Sequence, residues 1–132
     1  MDTGVLVSAF AFGGIPEKAV KKVFKEADIY VSPVLLEEYR DTPLKLVEQG
    51  KINHQQLKVL IAGIAAFVTN AKMVYPTEKV SVCRDPEDDI LLECCIAAKA
   101  GLLITSDKDL LEIEELPFAL EIVTPREFIE KY

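Results

Sequence analysis

The chain has 132 residues, half of them hydrophobic, and 22 acidic against 15 basic residues give it a net charge of −7. That length supports one sizeable core and is too short for two domains of ordinary size, so a single domain over residues 1–132 is expected. The negative balance argues against a nonspecific nucleic-acid coat protein, because a polyanion would be repelled at long range.

The longest apolar stretch, residues 59–68, is interrupted by Gly63 and falls short of the roughly 20 residues that a bilayer span requires. The first residues lack a basic segment followed by an apolar run and a small-residue cleavage site, so nothing marks them for secretion. Three cysteines, two of them adjacent at Cys94 and Cys95, do not make a disulfide framework. Reduced thiols in a cytoplasmic protein with no membrane association are expected. The lone histidine, His54, and the remote Cys83 leave no zinc-ligand spacing.

After a short opening segment, Gly13, Gly14 and Pro16 announce a helix over residues 16–27, with Ala19, Val20, Val23, Phe24 and Ala27 as its apolar stripe. Residues 29–31, Ile-Tyr-Val, read as a strand, and Ser32-Pro33 caps and opens a helix carrying Leu35, Leu36 and Tyr39. Asp41, Thr42 and Pro43 are expected to break and restart that helix; Gly50 ends it. Asn53 caps a long apolar helix over residues 54–68. Residues 72–83 look irregular or extended, and Pro86 opens an acidic helix start. Gly101 follows the end of that helix. Residues 102–104 form a strand, residues 107–111 a short helix and residues 121–123 another strand, after which Thr124-Pro125-Arg126-Glu127 makes a capping-box start to the last helix. Alternation of short apolar strands with helices predicts an α/β fold, a parallel sheet covered on both faces in three α/β/α layers.

In open parallel sheets the ligand crevice lies beyond the carboxyl ends of the strands. Asp107 follows the strand at 102–104, Asp88 and Asp89 open the helix before it, and Glu38 lies on the helix after the strand at 29–31. Converging carboxylates raise one another's pKa and repel, a cost that hard divalent ions remove. Abundant oxygen donors with a single histidine fit Mg²⁺ or Mn²⁺ and point to phosphodiester chemistry, in which the ion orients the phosphate and activates water. Taken singly, each acid has a plainer role: Asp88 and Asp89 favour a helix N-terminus, Asp107 an N-cap, and Glu38 a solvated face.

The segments around these acids resemble the PIN-domain family. Asp2-Thr3-Gly4-Val5-Leu6-Val7-Ser8-Ala9 is similar to its D-T-N-V-L-V-S-A, and residues 32–38 to its strand-end serine and acidic helix. Residues 84–89 resemble the D-P-x-D-(D/N) of the branch that holds VapC-like toxins of toxin–antitoxin pairs, and residues 105–111 its T-G-D-K-D-L-L. The resemblance implies a Mg²⁺- or Mn²⁺-dependent ribonuclease with Asp2, Glu38, Asp88 and Asp107 as catalytic acids. It implies a metal set of Asp2, Asp88, Asp89 and Asp107, Thr105 as a supporting, substrate-side hydroxyl, RNA as substrate, and an antitoxin protein as partner, with a homodimer also open. Asp89 stands 18 residues before Asp107, the spacing of other PIN branches, and Asp88 stands 19 before it, the spacing of this one, so both stay in play. Asp85 and Asp109 look like loop-holding acids. Gly4 replaces the family asparagine, and the strand that usually precedes the aspartate is truncated to Met1.

Asp-Thr-Gly is also the aspartic-protease signature, but the chain is βα in pattern and holds no second copy. A receiver-like domain would want a lysine after a late strand, where Lys108 is poorly placed. A noncatalytic interaction module is the remaining alternative, with Leu57, Ile61, Ile64 and Val68 meeting a partner rather than the core. Lys18, Lys21, Lys22 and Lys25 recur at helical spacing; Lys18 and Lys22 are the candidates for gripping RNA if that face is more than a solvated one.

Overall fold

The computed structural model describes residues 1–116 and 118–132. Helix α1 spans Thr3–Val7 and runs into a π-helical turn, Ser8–Phe12; α2 is Gly14–Glu26, β1 Ile29–Val31, α3 Pro33–Glu48, α4 His54–Thr69 and β2 Ala71–Met73. Beyond an irregular stretch come α5 Pro86–Ala98, β3 Leu102–Ile104, α6 Lys108–Leu111, β4 Glu121–Val123 and α7 Pro125–Lys131.

Local chemistry sets most of these boundaries. Ser32 accepts the N–H of Leu35 ahead of Pro33, and Asn53 with Gln56 and Thr124 with Glu127 form reciprocal capping boxes, so each helix starts where its orphan donors find oxygen. Gly13 and Gly50 take positive φ at helix boundaries, a conformation that costs glycine little. One expectation is corrected. The helix does not break at Pro43: α3 runs through it, and Pro43 is buried, so packing outweighs the lost N–H. The short opening segment is helical, with Asp2 capping α1 by its side chain.

All strand pairing is parallel, as the alternation of elements predicts. Among the described residues it forms two two-stranded sheets, β1 with β2 and β3 with β4. The backbone N–H of Asp2 bonds the carbonyl of Ile104 at 3.1 Å, which fastens the start of the chain to the end of β3. An apolar cavity of about 160 Å³ is lined by both β1 and β3, with Met1, Leu35, Phe67 and Leu91 also in its wall.

Leu6, Leu35, Tyr39, Leu60, Phe67, Leu92 and Leu103 are fully buried, each burial worth roughly 1.5–3 kcal/mol. Cys94 and Cys95 belong to this core, and all three cysteines are free thiols. On α4, Ile64 faces the core, Leu57 and Val68 are half-buried, and Ile61 is exposed. The face that the alternative reading offers to a partner is therefore largely spent on the core, with Ile61 left exposed. No helix among the described residues is long and apolar enough to cross a membrane.

Candidate metal centre

The acidic site is assembled at the end of β3 and the start of α5. Asp85 caps α5 by accepting the N–H of Glu87, Pro86 opens the helix, and Glu87, Asp88 and Asp89 occupy the first turn, where the helix dipole favours negative charge. Successive residues on a helix point about 100° apart, so Asp88 and Asp89 part company. Asp89 turns inward: only 7% exposed, it accepts the N–H groups of Val82 and Cys83 at 3.1 and 2.9 Å. Asp88 turns toward Asp107.

Strand β3 hands over to Thr105, which is completely buried. Its hydroxyl donates to Asp2 Oδ2 at 2.5 Å and accepts the N–H of Asp107 at 3.0 Å. Asp107 in turn caps α6, its Oδ1 accepting the N–H of Asp109 at 2.9 Å. One oxygen from each of Asp88, Asp107 and Asp109 lies within 4.8 Å of the others, close enough to share a cation. Asp2 adjoins this trio through Thr105. Glu38 accepts the hydroxyl of Thr3, Asp2's neighbour, at 2.7 Å and stays outside the three-carboxylate group.

The electrostatics record the crowding. Asp88 is pushed up to about 7, first by burial, then by the close approach of Asp107, which favours a shared proton, and by the charges of Asp107, Asp85 and Asp2. Burial raises Glu38 as well; the Thr3 hydroxyl works against it, and Asp2, Glu87 and Asp85 add to it. Asp89 goes the other way. Burial opposes its ionisation, but the Cys83 and Val82 N–H groups and the Cys83 thiol outweigh it and hold the carboxyl below its usual range.

Asp88 Oδ2 is buried with no hydrogen-bond partner. Such an oxygen costs about 1–3 kcal/mol if left so, more when charged. Two further carboxylates within cation-sharing reach supply the donor set that a hard divalent ion prefers, so these residues fit Mg²⁺ or Mn²⁺.

Several expectations from the sequence need revising at this point. Asp89, a candidate ligand, gives Oδ1 to two loop N–H groups and lies outside the three-carboxylate cluster, whereas Asp109, read as a loop-holding acid, joins it. Its signal was present in the Asp107-Lys108-Asp109 spacing, since a capping aspartate with another acid two residues on brings two carboxylates to one helix start. Thr105 is completely buried and its hydroxyl ties Asp2 to Asp107. Lys22 is also committed, its ammonium donating to the carbonyls of Phe128 and Ile129 at 3.3 Å and lying 5.1 Å from the Phe128 ring centroid. Lys21 pairs with Glu17, and Lys18 is exposed on α2.

The family model described as PIN domain matches residues 1–109, a span that takes in Asp2, Glu38 and all three clustered carboxylates. The chain belongs to the PIN-domain family. PIN domains are generally nucleases that need a divalent metal. An uncharacterized protein of Methanocaldococcus jannaschii is 31% identical to this PIN domain over 143 aligned residues, which cover all of this chain and 89% of its own. No solved structure matches this PIN domain.

Proposed function

We propose that this PIN domain is an endoribonuclease that hydrolyses RNA phosphodiester bonds with Mg²⁺ or Mn²⁺, and that it serves as the toxin of a toxin–antitoxin pair. The observation that carries the nuclease reading is the trio Asp88, Asp107 and Asp109, oxygen atoms within 4.8 Å, with Asp88 Oδ2 buried and unpartnered.

In this reading Asp88, Asp107 and Asp109 would hold the ion, with Asp2 beside them through Thr105. A divalent ion bound there would supply charge for the scissile phosphate and lower the pKa of a water toward hydroxide, so no side-chain nucleophile is called for. Thr105 fixes the angle between Asp2 and Asp107 through one hydroxyl, as outer-shell hydrogen bonds fix ligand carboxylates elsewhere. Glu38, half-buried and raised in pKa, stands at the edge of the site where it can exchange a proton with water or the leaving oxygen.

Incubating the purified protein with labelled single-stranded RNA, with Mn²⁺, with Mg²⁺ and with EDTA, tests the chemistry. Metal-dependent fragments that vanish in Asp107→Asn are expected; intact RNA under every condition would reject the nuclease. The toxin role is supported by the similarity of residues 84–89 and 105–111 to VapC-like toxins. It predicts that expression arrests growth and that the product of a neighbouring reading frame relieves the arrest. Val59 and Ile61 on α4, both about half exposed, are the surface offered here for an antitoxin or a second copy.

A further inference from the structure

We infer that Arg84 is the phosphate-gripping residue of this site, contacting an RNA phosphate beside the scissile one; the inference rests on the nuclease reading above. The chain has a net charge of −7, so a polyanionic substrate meets net repulsion and needs a local cation at the cleft. The helical lysine face does not meet that need well. Lys22 is spent on the carbonyls at the end of α7 and on Glu26, and Lys21 on Glu17, while Lys18 and Lys25 are exposed on α2, and among the described residues no ion pair joins either to the acidic cluster. At the acidic cluster the structure instead places Arg84, whose Nη2 lies 3.9 Å from Asp109 Oδ1.

That pair is loose and wet, with the Arg84 side chain 86% exposed, so the guanidinium is tethered over the cluster without being consumed by it. An exposed ion pair of this kind adds little to stability. Its donors therefore remain available, and a planar guanidinium offers two parallel N–H groups to a phosphate's oxygens. Asp109 has two roles in this arrangement. One carboxylate oxygen faces Asp88 and Asp107, and the same group draws Arg84 to the rim of the cluster, which keeps its guanidinium close to the reaction centre. Arg84 also precedes Asp85, the cap of α5, so its backbone is anchored to the helix that presents Asp88.

Binding of fluorescein-labelled single-stranded RNA to the Asp107→Asn protein in Mn²⁺, across a salt series, tests this without cleavage. Adding Arg84→Gln is expected to weaken binding roughly tenfold at about 0.1 M salt, as loss of a charge-assisted contact does. It should flatten the log K against log salt slope by about 0.7, the counterion release of one single-strand phosphate contact. Arg126→Gln removes the same unit of charge from α7, where Arg126 pairs with Glu130, and should move both quantities much less. Titration of Mn²⁺ into the Arg84→Gln single variant should match the parent protein. An unchanged salt slope, equal losses in the Arg84 and Arg126 variants, or weakened Mn²⁺ binding would overturn the inference while leaving the nuclease standing. Failure of the parent protein to bind or cleave RNA would overturn both.

Discussion

The carboxylate cleft and the seam where the π-helical turn packs on α4 are built on opposite terms. At the seam, Phe10 lies so close to Gly63 that a Cβ there would sit 2.4 Å from its ring, and the contact is apolar shape complementarity. In the cleft, Asp88, Asp107 and Asp109 crowd like charge, and one buried oxygen has no partner. One region lowers the free energy of the chain by itself; the other does so only with a cation. Changes in the two should therefore separate stability from activity in opposite directions.

The largest effect is expected in the cleft. Asp88→Asn should cut metal-dependent cleavage by at least about 100-fold, beyond what losing even an outer-shell partner usually costs. In metal-free protein it should raise the melting temperature near pH 8, because it removes a carboxylate that burial, and then its acidic neighbours, push up to about 7. Asp89→Asn should reverse the pattern. Asparagine keeps an oxygen for the Val82 and Cys83 N–H groups but loses the charge that strengthens both bonds, so stability should fall by about 1 kcal/mol while Mn²⁺ titration stays near that of the parent protein. Equal losses of cleavage in the two variants, without a stability difference, would erase the distinction between adjacent acids.

Acidity sharpens the same contrast. A carboxyl whose folded pKa lies above its ordinary value penalises folding from the pH at which the unfolded chain ionises, and the penalty is complete once both states are ionised. The Asp88 contribution is therefore neutral well below pH 4 and becomes increasingly unfavourable as pH rises through about 7. Bound Mn²⁺ competes with that proton. The melting-temperature gain on adding Mn²⁺ should be larger at about pH 8 than at about pH 5.5, and a gain independent of pH would show that Asp88 does not titrate against the ion.

These outcomes bear on what could be read from residues alone. Element positions were legible because each helix start carries its own chemistry: Ser32-Pro33, Asn53 with Gln56, Asp85-Pro86, and Thr124 with Glu127. Pro43 misled because a buried proline can stay in a helix when packing on its other side outweighs one lost hydrogen bond. The acidic neighbourhood was legible from strand ends, but the choice between Asp88 and Asp89 was not. It depends on which side of α5 the preceding loop returns along, and that loop contributes the Val82 and Cys83 N–H groups. Lys22 was misread for a similar reason, since its acceptors lie more than a hundred residues away on α7.

At the seam, Gly63→Ala should cost about 1–3 kcal/mol in denaturant unfolding, the usual penalty for forcing bulk into a packed contact. Specific cleavage activity of the folded fraction should be unaffected, because Gly63 and Phe10 carry no group in the cleft. A variant as stable as the parent would mean that the Phe10 ring moves aside at little cost.

The smallest effect belongs to Gly4, the position where the PIN resemblance leads one to expect asparagine. It lies in the first turn of α1, and a Cβ added there meets nothing within 4 Å. Its φ is not positive, so nothing in the backbone demands glycine. Gly4→Ala should therefore stabilise by about 0.5 kcal/mol, the low end of the helix-interior difference, because the first turn gains only part of it. Asp2 accepts the Gly4 N–H at 3.3 Å, a contact that alanine keeps, so the carboxylate that Thr105 holds should not shift. If alanine stiffens α1 and cleavage rises with stability, motion of Asp2 limits the site. A gain in stability with unchanged cleavage would leave the crowded trio around Asp88 as the limiting element.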